Sequence, residues 1–197
     1  MGKAHALNTG LSEVTGEVVV LTEADSLWAQ NSLRDAASYF SDGHIAAVTG
    51  IKEPLVRDHR RNARLESTYR IYYNLVRVGE SKIDSTPIFH GELAAFRTNL
   101  LKQIGGFRTD MGADDSHTAA LLALRGSRSI AVPEAIIYEL TPTTRRGYLQ
   151  WKQRRAVHLV QHFTKLVLQL GKARPSLRGV FLMEFFLHVV NPWLLLI

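Results

Sequence analysis

Cysteine is absent from this chain of 197 residues, which excludes disulfide bonds and thiolate metal sites. Internal repeats and low-complexity stretches are absent as well, which excludes repeat architectures. Charged residues are sparse at 21% against 46% hydrophobic residues, a balance typical of a folded globular protein rather than a disordered one. The sequence does have an excess of positive charge. Its net charge of +6 favours an anionic partner such as phosphate, nucleic acid or a lipid surface.

A short apolar run near the start of the chain ends in two carboxylates. Residues 18–21 read VVVL and predict a strand that is buried on both faces, as in a parallel sheet. Glu23 and Asp25 follow, at the strand end where open α/β sheets usually bind their ligands. The pair is either the polar chemistry of an ordinary turn or a site for a divalent cation, which prefers oxygen ligands. Both interpretations remain open on these residues alone.

A second acidic pair, Asp114 and Asp115, opens a predicted helix that Gly126 ends. A carboxylate at a helix start binds free N–H groups and suits the helix dipole, so helix capping is one interpretation. One cap needs only one carboxylate. The second member of the pair is therefore available to act as a general base.

Between residues 3 and 140, short apolar runs alternate with helical patterns, which predicts an α/β fold. Residues 86–97 read as one strand in which Gly91 permits a close approach. The helical pattern over residues 57–78 carries several arginines on its polar side. These arginines form either a solvated face or a surface for anionic lipid or a charged acceptor.

The far end of the chain is strongly apolar. Residues 179–197 contain only a few polar positions, and a membrane-spanning helix needs roughly 20 apolar residues. We therefore expect residues 175–197 to be membrane-associated or to begin a transmembrane segment. A helix buried in a soluble core is the alternative.

Eight short motifs occur in a fixed order over residues 2–155. They read GKAHALNTGL, VVVLTEADS, AAVTG, HGELAAFR, IGGF, GADDS, PEAIIYELTPTT and QWKQRR. Together they resemble the family 2 glycosyltransferases with the GT-A fold; each motif is weak alone, and their shared order is specific. The resemblance implies an α/β fold with a GT-A-type, Rossmann-like mixed sheet flanked by helices and followed by a C-terminal apolar helix.

The resemblance also implies a reaction. In this family a sugar moves from a nucleotide-diphospho sugar to a hydroxyl acceptor with inversion, and the acceptor is a polysaccharide, a lipid or a glycan. Asp115 matches the general base, while Glu23 and Asp25 match the D-x-D carboxylates that bind Mn²⁺ or Mg²⁺. Lys3 matches a lysine that lies near the donor in this family, so the resemblance assigns it to the donor side together with Glu23 and Asp25. The residues that match the acceptor side are Gly91, Glu92, Asp114, Gln150, Arg154 and Arg155.

The chain departs from the family's pattern in three respects. Family members carry a nucleotide-binding segment before the GKA motif, so we expect residues 1–145 to form a partial GT-A catalytic domain. Glu23 replaces the first aspartate of D-x-D. The family's Q-x-x-R-W box is degenerate at Gln150, so processive synthesis is not predicted. Residues 146–174 are expected to form a basic helix that carries this box.

Two other classes of function remain open. One is a catalytically inactive glycosyltransferase fragment or scaffold that lacks the site for the donor base. The other is a binder of nucleic acid or anionic lipid that works through its arginines. No RRM, KH or helix-turn-helix pattern occurs, so a nucleic-acid partner is not expected. The expected location is the cell membrane, with the catalytic part on the cytoplasmic side.

Overall fold

The computed structural model describes residues 2–55 and 61–194. Five strands form one sheet: β1 (Val18–Leu21), β2 (Leu27–Trp28), β3 (Ile45–Pro54), β4 (Ala94–Arg97) and β5 (Arg128–Glu139). The α-helices are α1 (Lys3–Glu13), α2 (Ser32–Ser38), α3 (Arg61–Ile83), α4 (Thr98–Gln103), α5 (Asp114–Leu124), α6 (Arg145–Val167), α7 (Pro175–Phe185) and α8 (Asn191–Leu194). Short 3₁₀ turns cover Tyr39–Ser41 and Leu170–Lys172, and Phe186–Val190 is a π-helical segment between α7 and α8.

The sheet is mixed, as the resemblance to the family 2 glycosyltransferases implies. Its strand order is β1-β4-β3-β5-β2, with β3 and β5 parallel and every other neighbouring pair antiparallel. Successive side chains of β3 enter different cores, because side chains alternate along a strand. Ala47 packs with α1, α4 and α5, whereas Val48 packs with α2. The predicted α/β arrangement of a mixed sheet flanked by helices is confirmed.

β1 differs from the predicted strand of a parallel sheet. It pairs antiparallel with β4, so that Val18 lies opposite Arg97 and Leu21 opposite Ala94. The side chains of residues 18–20 are only half-buried, and β1 is an outer strand within the part of the chain that the structure describes. The prediction was wrong because an apolar run does not specify the direction of the neighbouring strand.

Residues 86–97 form a loop followed by a short strand, not the single strand that the sequence predicts. Only Ala94–Arg97 belong to β4, so Gly91 and Glu92 lie in the loop that precedes it. The Thr49 hydroxyl holds this loop, since it donates to the Leu93 carbonyl (2.9 Å) and accepts from the His90 backbone N–H (3.1 Å). Gly91 and Glu92 are thereby presented at the end of the sheet instead of pairing within it.

The C-terminal helices pack on the rest of the protein through one side. Leu177, Val180 and Phe181 of α7 are buried in a cluster that includes Phe163 and Leu166 of α6. Several large apolar side chains on this part of the chain stay exposed, namely Leu182, Met183, Phe186, Trp193 and Leu194. Among the helices of residues 2–55 and 61–194, none combines the length and the hydropathy needed to cross a bilayer.

Candidate active site

A cleft of about 560 Å³ lies where β1 ends and the loop before β4 begins. We call one side of it the acidic half, which consists of Lys3, Glu23, Gly91, Asp114 and Asp115. We call the other side the basic half, which consists of Tyr69, Arg70, Tyr73, Arg77, Lys152, Arg154 and Arg155. Glu92, which follows Gly91 in the chain, lies between the two halves. His188 of the π-helical segment and Pro192 of α8 also line the cleft.

Gly91 lies at the centre of the acidic half. A Cβ atom at this position would lie 3.0 Å from Asp115 Oδ2, 3.0 Å from Lys3 Nζ and 3.4 Å from Glu23 Oε1. Three charged groups therefore converge on one point that only a glycine leaves open. A substrate atom placed at this point would be within reach of two carboxylates and an ammonium group.

Lys3 connects the two acidic pairs that the sequence singles out. Its Nζ lies 3.3 Å from Glu23 Oε1 and 3.5 Å from Asp114 Oδ1. Burial opposes the charged form of Lys3, but Asp115, Asp114 and Glu23 outweigh burial and raise the pKa of the ammonium group. Lys3 is therefore a permanent positive charge among three carboxylates.

Asp115 serves the helix and the cleft with different oxygens. Its Oδ1 accepts from the Ser116 backbone N–H (2.7 Å), one of the free N–H groups at the start of α5, while its Oδ2 faces Gly91. Asp114 Oδ1 accepts from the Asp115 backbone N–H (3.1 Å). Burial and the neighbouring Asp114 raise the pKa of Asp115 to about 6, although Lys3 acts in the opposite direction. Helix capping and a free carboxylate oxygen thus coexist in one side chain.

Glu139, at the end of β5, organises the basic half. It accepts hydrogen bonds from Lys52 Nζ (2.7 Å), Arg70 Nη2 (2.6 Å) and Arg155 Nη2 (2.6 Å). Burial alone would raise the pKa of this carboxyl group, but Lys52, Arg70 and Arg155 lower it to about 2. One ionised carboxylate therefore ties together β3, α3, β5 and α6.

A second buried carboxylate, Glu66 of α3, holds further cations. Its oxygens lie 2.8 Å from Arg70 Nη2 and 2.7 Å from Lys152 Nζ, and it accepts from the Tyr148 hydroxyl (3.1 Å). The Lys152 ammonium also lies 3.9 Å from the centre of the Tyr69 ring, a cation–π distance. Two of the α6 cations that line the cleft, Lys152 and Arg155, are thus held in place by carboxylates.

The structure brings eight of the ten predicted site residues to the cleft. They are Lys3, Glu23, Gly91, Glu92, Asp114, Asp115, Arg154 and Arg155. Asp25, in the exposed turn after β1, and Gln150, exposed on α6, do not line it. The sequence analysis missed Lys52 and Glu139, although each is a charged residue at the end of an apolar strand, the same signal that identified Glu23.

Glu23 and Asp25 have the chemistry to hold a divalent cation, because hard cations prefer carboxylate oxygens. Glu23 Oε1 faces Gly91 in the acidic half, and Asp25 lies two residues later in the exposed turn. No group of three or more metal-binding side chains occurs in residues 2–55 and 61–194. A Mn²⁺ or Mg²⁺ ion held here would need further oxygens from a substrate or from water, as Mg²⁺ sites at phosphates commonly do.

Residues 1–157 match the model of the family described as Glycosyltransferase like family 2. Poly-beta-1,6-N-acetyl-D-glucosamine synthase of Staphylococcus aureus (strain COL) is 28% identical over 158 residues, which are 78% of this chain and 37% of that protein. The cellulose synthase catalytic subunit of Xanthomonas axonopodis pv. citri (strain 306) is 25% identical over 141 residues, which are 68% of this chain and 19% of that protein. The chain thus spans between about a fifth and two fifths of the length of these curated relatives.

One solved structure is similar along almost the whole chain. The mannosyltransferase PcManGT of Pyrobaculum calidifontis, in complex with GDP-Man and Mn²⁺, is 47% identical and superposes with a TM-score of 0.85. The superposition covers 98% of this chain and 51% of that one. The structural likeness therefore extends over nearly the whole chain.

Proposed function

This chain belongs to the family 2 glycosyltransferases, and from that premise we propose an inverting transfer of a sugar from a nucleotide-diphospho sugar to an acceptor hydroxyl. The proposed acceptor is a glycan, such as a polysaccharide, or a lipid. The family and the named synthases and transferases among its relatives identify an enzyme that transfers sugars. The observation that supports the finer proposal is the free Oδ2 of Asp115, which faces the open point at Gly91 beside Lys3.

Asp115 acts as the general base in this proposal. The Ser116 N–H holds Oδ1, so Oδ2 keeps a fixed direction toward the open point at Gly91. The acceptor hydroxyl gives its proton to Oδ2 while its oxygen bonds to the anomeric carbon of the donor sugar. The bond from that carbon to the diphosphate breaks on the opposite side, which inverts the configuration and releases a nucleoside diphosphate.

The acidic half also supplies positive charge for the leaving group. Lys3 stabilises the negative charge that develops on the diphosphate oxygens, an effect that is largest in the transition state. Glu23 and Asp25 would hold Mn²⁺ or Mg²⁺, which supplies Lewis-acid stabilisation of the same oxygens when bound. The divalent ion is supported by the chemistry of these carboxylates and by the Mn²⁺ and GDP-Man in the Pyrobaculum mannosyltransferase.

We expect the rate of transfer to fall as the pH is lowered through about 6, because a protonated Asp115 cannot accept the acceptor's proton. Lys3→Met should move this fall to a higher pH, since Lys3 lowers the pKa of Asp115, whereas Lys3→Arg should keep it near its original position. The measurement is nucleoside diphosphate release on both sides of pH 6. GDP-Man is the first donor to test, because the 47% identical neighbour holds it. A profile that is the same in all three proteins would contradict the role of Asp115.

We further propose that the protein works at the cell membrane with its cleft on the cytoplasmic side. Large exposed apolar side chains support this proposal, because such surfaces mark contacts with proteins or membranes. Phe186 is 46% exposed and Trp193 69% exposed, and tryptophan is favoured at the interface between lipid and water. The net charge of +6 suits the anionic cytoplasmic leaflet.

Flotation with vesicles of phosphatidylcholine and phosphatidylglycerol tests this location. We expect the protein to float with the vesicles and the double variant Phe186→Ser, Trp193→Ser to float several-fold less, because each substitution removes apolar area from the contact. Leu33→Ser is the matched control, since Leu33 is also exposed but lies on α2, in a different part of the fold. Equal flotation of all three proteins, or none, would contradict the membrane proposal.

A further inference from the structure

We infer that the acceptor carries a phosphate or diphosphate group next to the sugar that is glycosylated, and that the basic half of the cleft binds this group. The inference rests on the proposed function and deepens it, since it specifies the chemical class of the acceptor. It concerns residues of α3 and α6 that have no role in the proposed proton transfer.

Positive charge is in excess in the basic half. The cations that line it are Arg70, Arg77, Lys152, Arg154 and Arg155. The carboxylates Glu66, Glu92 and Glu139 pair with only three of these cations, and two of the carboxylates also neutralise the buried Lys52. Buried or half-buried cations without a counter-charge are costly, so an anion bound in this half would offset that cost.

The excess of positive charge is clearest at Arg77. Its side chain is only 4% exposed, its Nε has no hydrogen-bond partner among the described residues, and its Nη1 contacts His90 Nε2. Burial and Arg77 itself hold the pKa of His90 well below its usual range. The imidazole is therefore neutral and does not balance the charge of Arg77. No carboxylate of residues 2–55 and 61–194 whose contacts the structure describes lies within 4.0 Å of the guanidinium.

The nearest acidic groups do not neutralise Arg77 fully. Glu80 and Glu184 lie behind it, away from the cleft, and burial together with Glu184 raises the pKa of Glu80 to about 9. At neutral pH the pair therefore keeps one proton and supplies one negative charge. Glu184 also contacts His188, whose Nε2 lies 2.9 Å from Glu184 Oε2.

The basic half is also organised in advance for an anion. Glu66 and Glu139 hold Lys152 and Arg155 from behind, so these two cations need little reordering when a ligand binds. Arginine and lysine N–H groups in such an array form strong, charge-assisted hydrogen bonds to phosphate oxygens. A phosphate group accepts hydrogen bonds from several separate donors better than a carboxylate group does, because it presents three or four oxygens in different directions.

A sugar has a matching surface beside the cations. Tyr69 and Tyr73 line the cleft with ring centres 4.3 Å apart, and they give its wall apolar area and hydroxyl groups. Glu92 connects this surface to the acidic half, since it follows Gly91 in the chain and lies 3.6 Å from Arg155. The phosphate, the sugar and the open point at Gly91 thus lie in one continuous cleft.

The test is calorimetric binding of glucose 1-phosphate and of neutral methyl glucoside to the full chain, with GDP and Mn²⁺ present to occupy the donor site. We expect glucose 1-phosphate to bind at least about tenfold more tightly than methyl glucoside, because one charge-assisted hydrogen bond contributes about that much to affinity. Arg77→Met and Lys152→Met should each remove most of this preference. Lys152 is 29% exposed, so its variant is expected to keep the fold even if the Arg77 variant does not, and thermal unfolding checks this.

The control is Arg146→Met, which removes the same charge from the exposed first turn of α6. It should leave the preference unchanged. Equal binding of the two probes would overturn the inference, as would displacement of glucose 1-phosphate by GDP, because GDP would then occupy the same subsite. Loss of GDP binding with the preference for phosphate retained would contradict the proposed function and not this inference.

A second arm distinguishes the source of the phosphate. Phosphatidylcholine vesicles with and without a polyprenyl diphosphate sugar are compared in flotation, for the native chain and for Lys152→Met. Stronger flotation that depends on both the lipid and Lys152 supports a lipid-linked acceptor, and binding of glucose 1-phosphate alone supports a soluble one. If neither the binding of glucose 1-phosphate nor the flotation with lipid-containing vesicles depends on Lys152, the inference is overturned.

Discussion

Replacement of Asp115 by Asn is expected to slow sugar transfer by roughly 10²–10⁴-fold, the usual effect of losing a general base. Asparagine has nearly the same size, and its carbonyl oxygen still accepts from the Ser116 N–H, so α5 keeps its first turn. The amide cannot take a proton at the position of Oδ2. Binding of the nucleotide sugar should be unchanged, because Lys3, Glu23 and Asp25 remain in place.

Initial rates and donor affinity, measured separately, check this expectation. The control is Asp35→Asn. Asp35 lies in the first turn of α2, so this substitution makes the same chemical change at the start of another helix. It should transfer sugar at the native rate. Near-native turnover of Asp115→Asn would leave that residue as a helix cap alone.

Filling the open point at Gly91 is the second change with a large expected effect. An alanine Cβ there lies 3.0 Å from both Asp115 Oδ2 and Lys3 Nζ, so these groups must move by a few tenths of an ångström. Valine adds two methyl groups to the space that the acceptor oxygen needs. We expect Gly91→Val to reduce kcat/KM by about 10²-fold or more and Gly91→Ala to reduce it less, since displacements of about 1 Å cost that much.

The graded pair of variants separates occupancy from unfolding. Overpacking typically costs about 1–3 kcal/mol, so thermal unfolding is measured beside the kinetics. Gly43→Val is the control, because a Cβ at Gly43 meets no atom within 4 Å and the residue lies in an exposed turn. If Gly91→Val were as active as Gly43→Val, the reacting groups would not meet at this point.

The acidic half of the cleft was largely predictable from the sequence. Glu23 follows an apolar strand and Asp115 opens a helix, and both positions are local signals that need no knowledge of tertiary contacts. Their meeting around Gly91 depends on the antiparallel pairing of β1 with β4, which the apolar run did not predict. Of the two carboxylates that follow β1, Glu23 lines the cleft and Asp25 does not.

The basic half was not predictable in the same way. Glu139 joins Lys52, Arg70 and Arg155, which come from three different elements and lie up to 103 positions apart in the chain. Periodicity along one helix separates an apolar stripe from a polar one, but it does not tell a solvated arginine from one held in a cleft. Only the packing of α3 against β3 and β5 makes that distinction.

His188 and Pro192 line the cleft from the same C-terminal segments that expose Phe186 and Trp193. A partner that binds the exposed side chains and shifts these segments would also change the wall of the cleft in which we propose the acceptor binds. Thermodynamic linkage then makes the effect reciprocal, so an acceptor that favours one position of the wall changes the affinity for that partner by the same factor. Under the proposed function, surface binding and acceptor binding would therefore be coupled through the position of these segments.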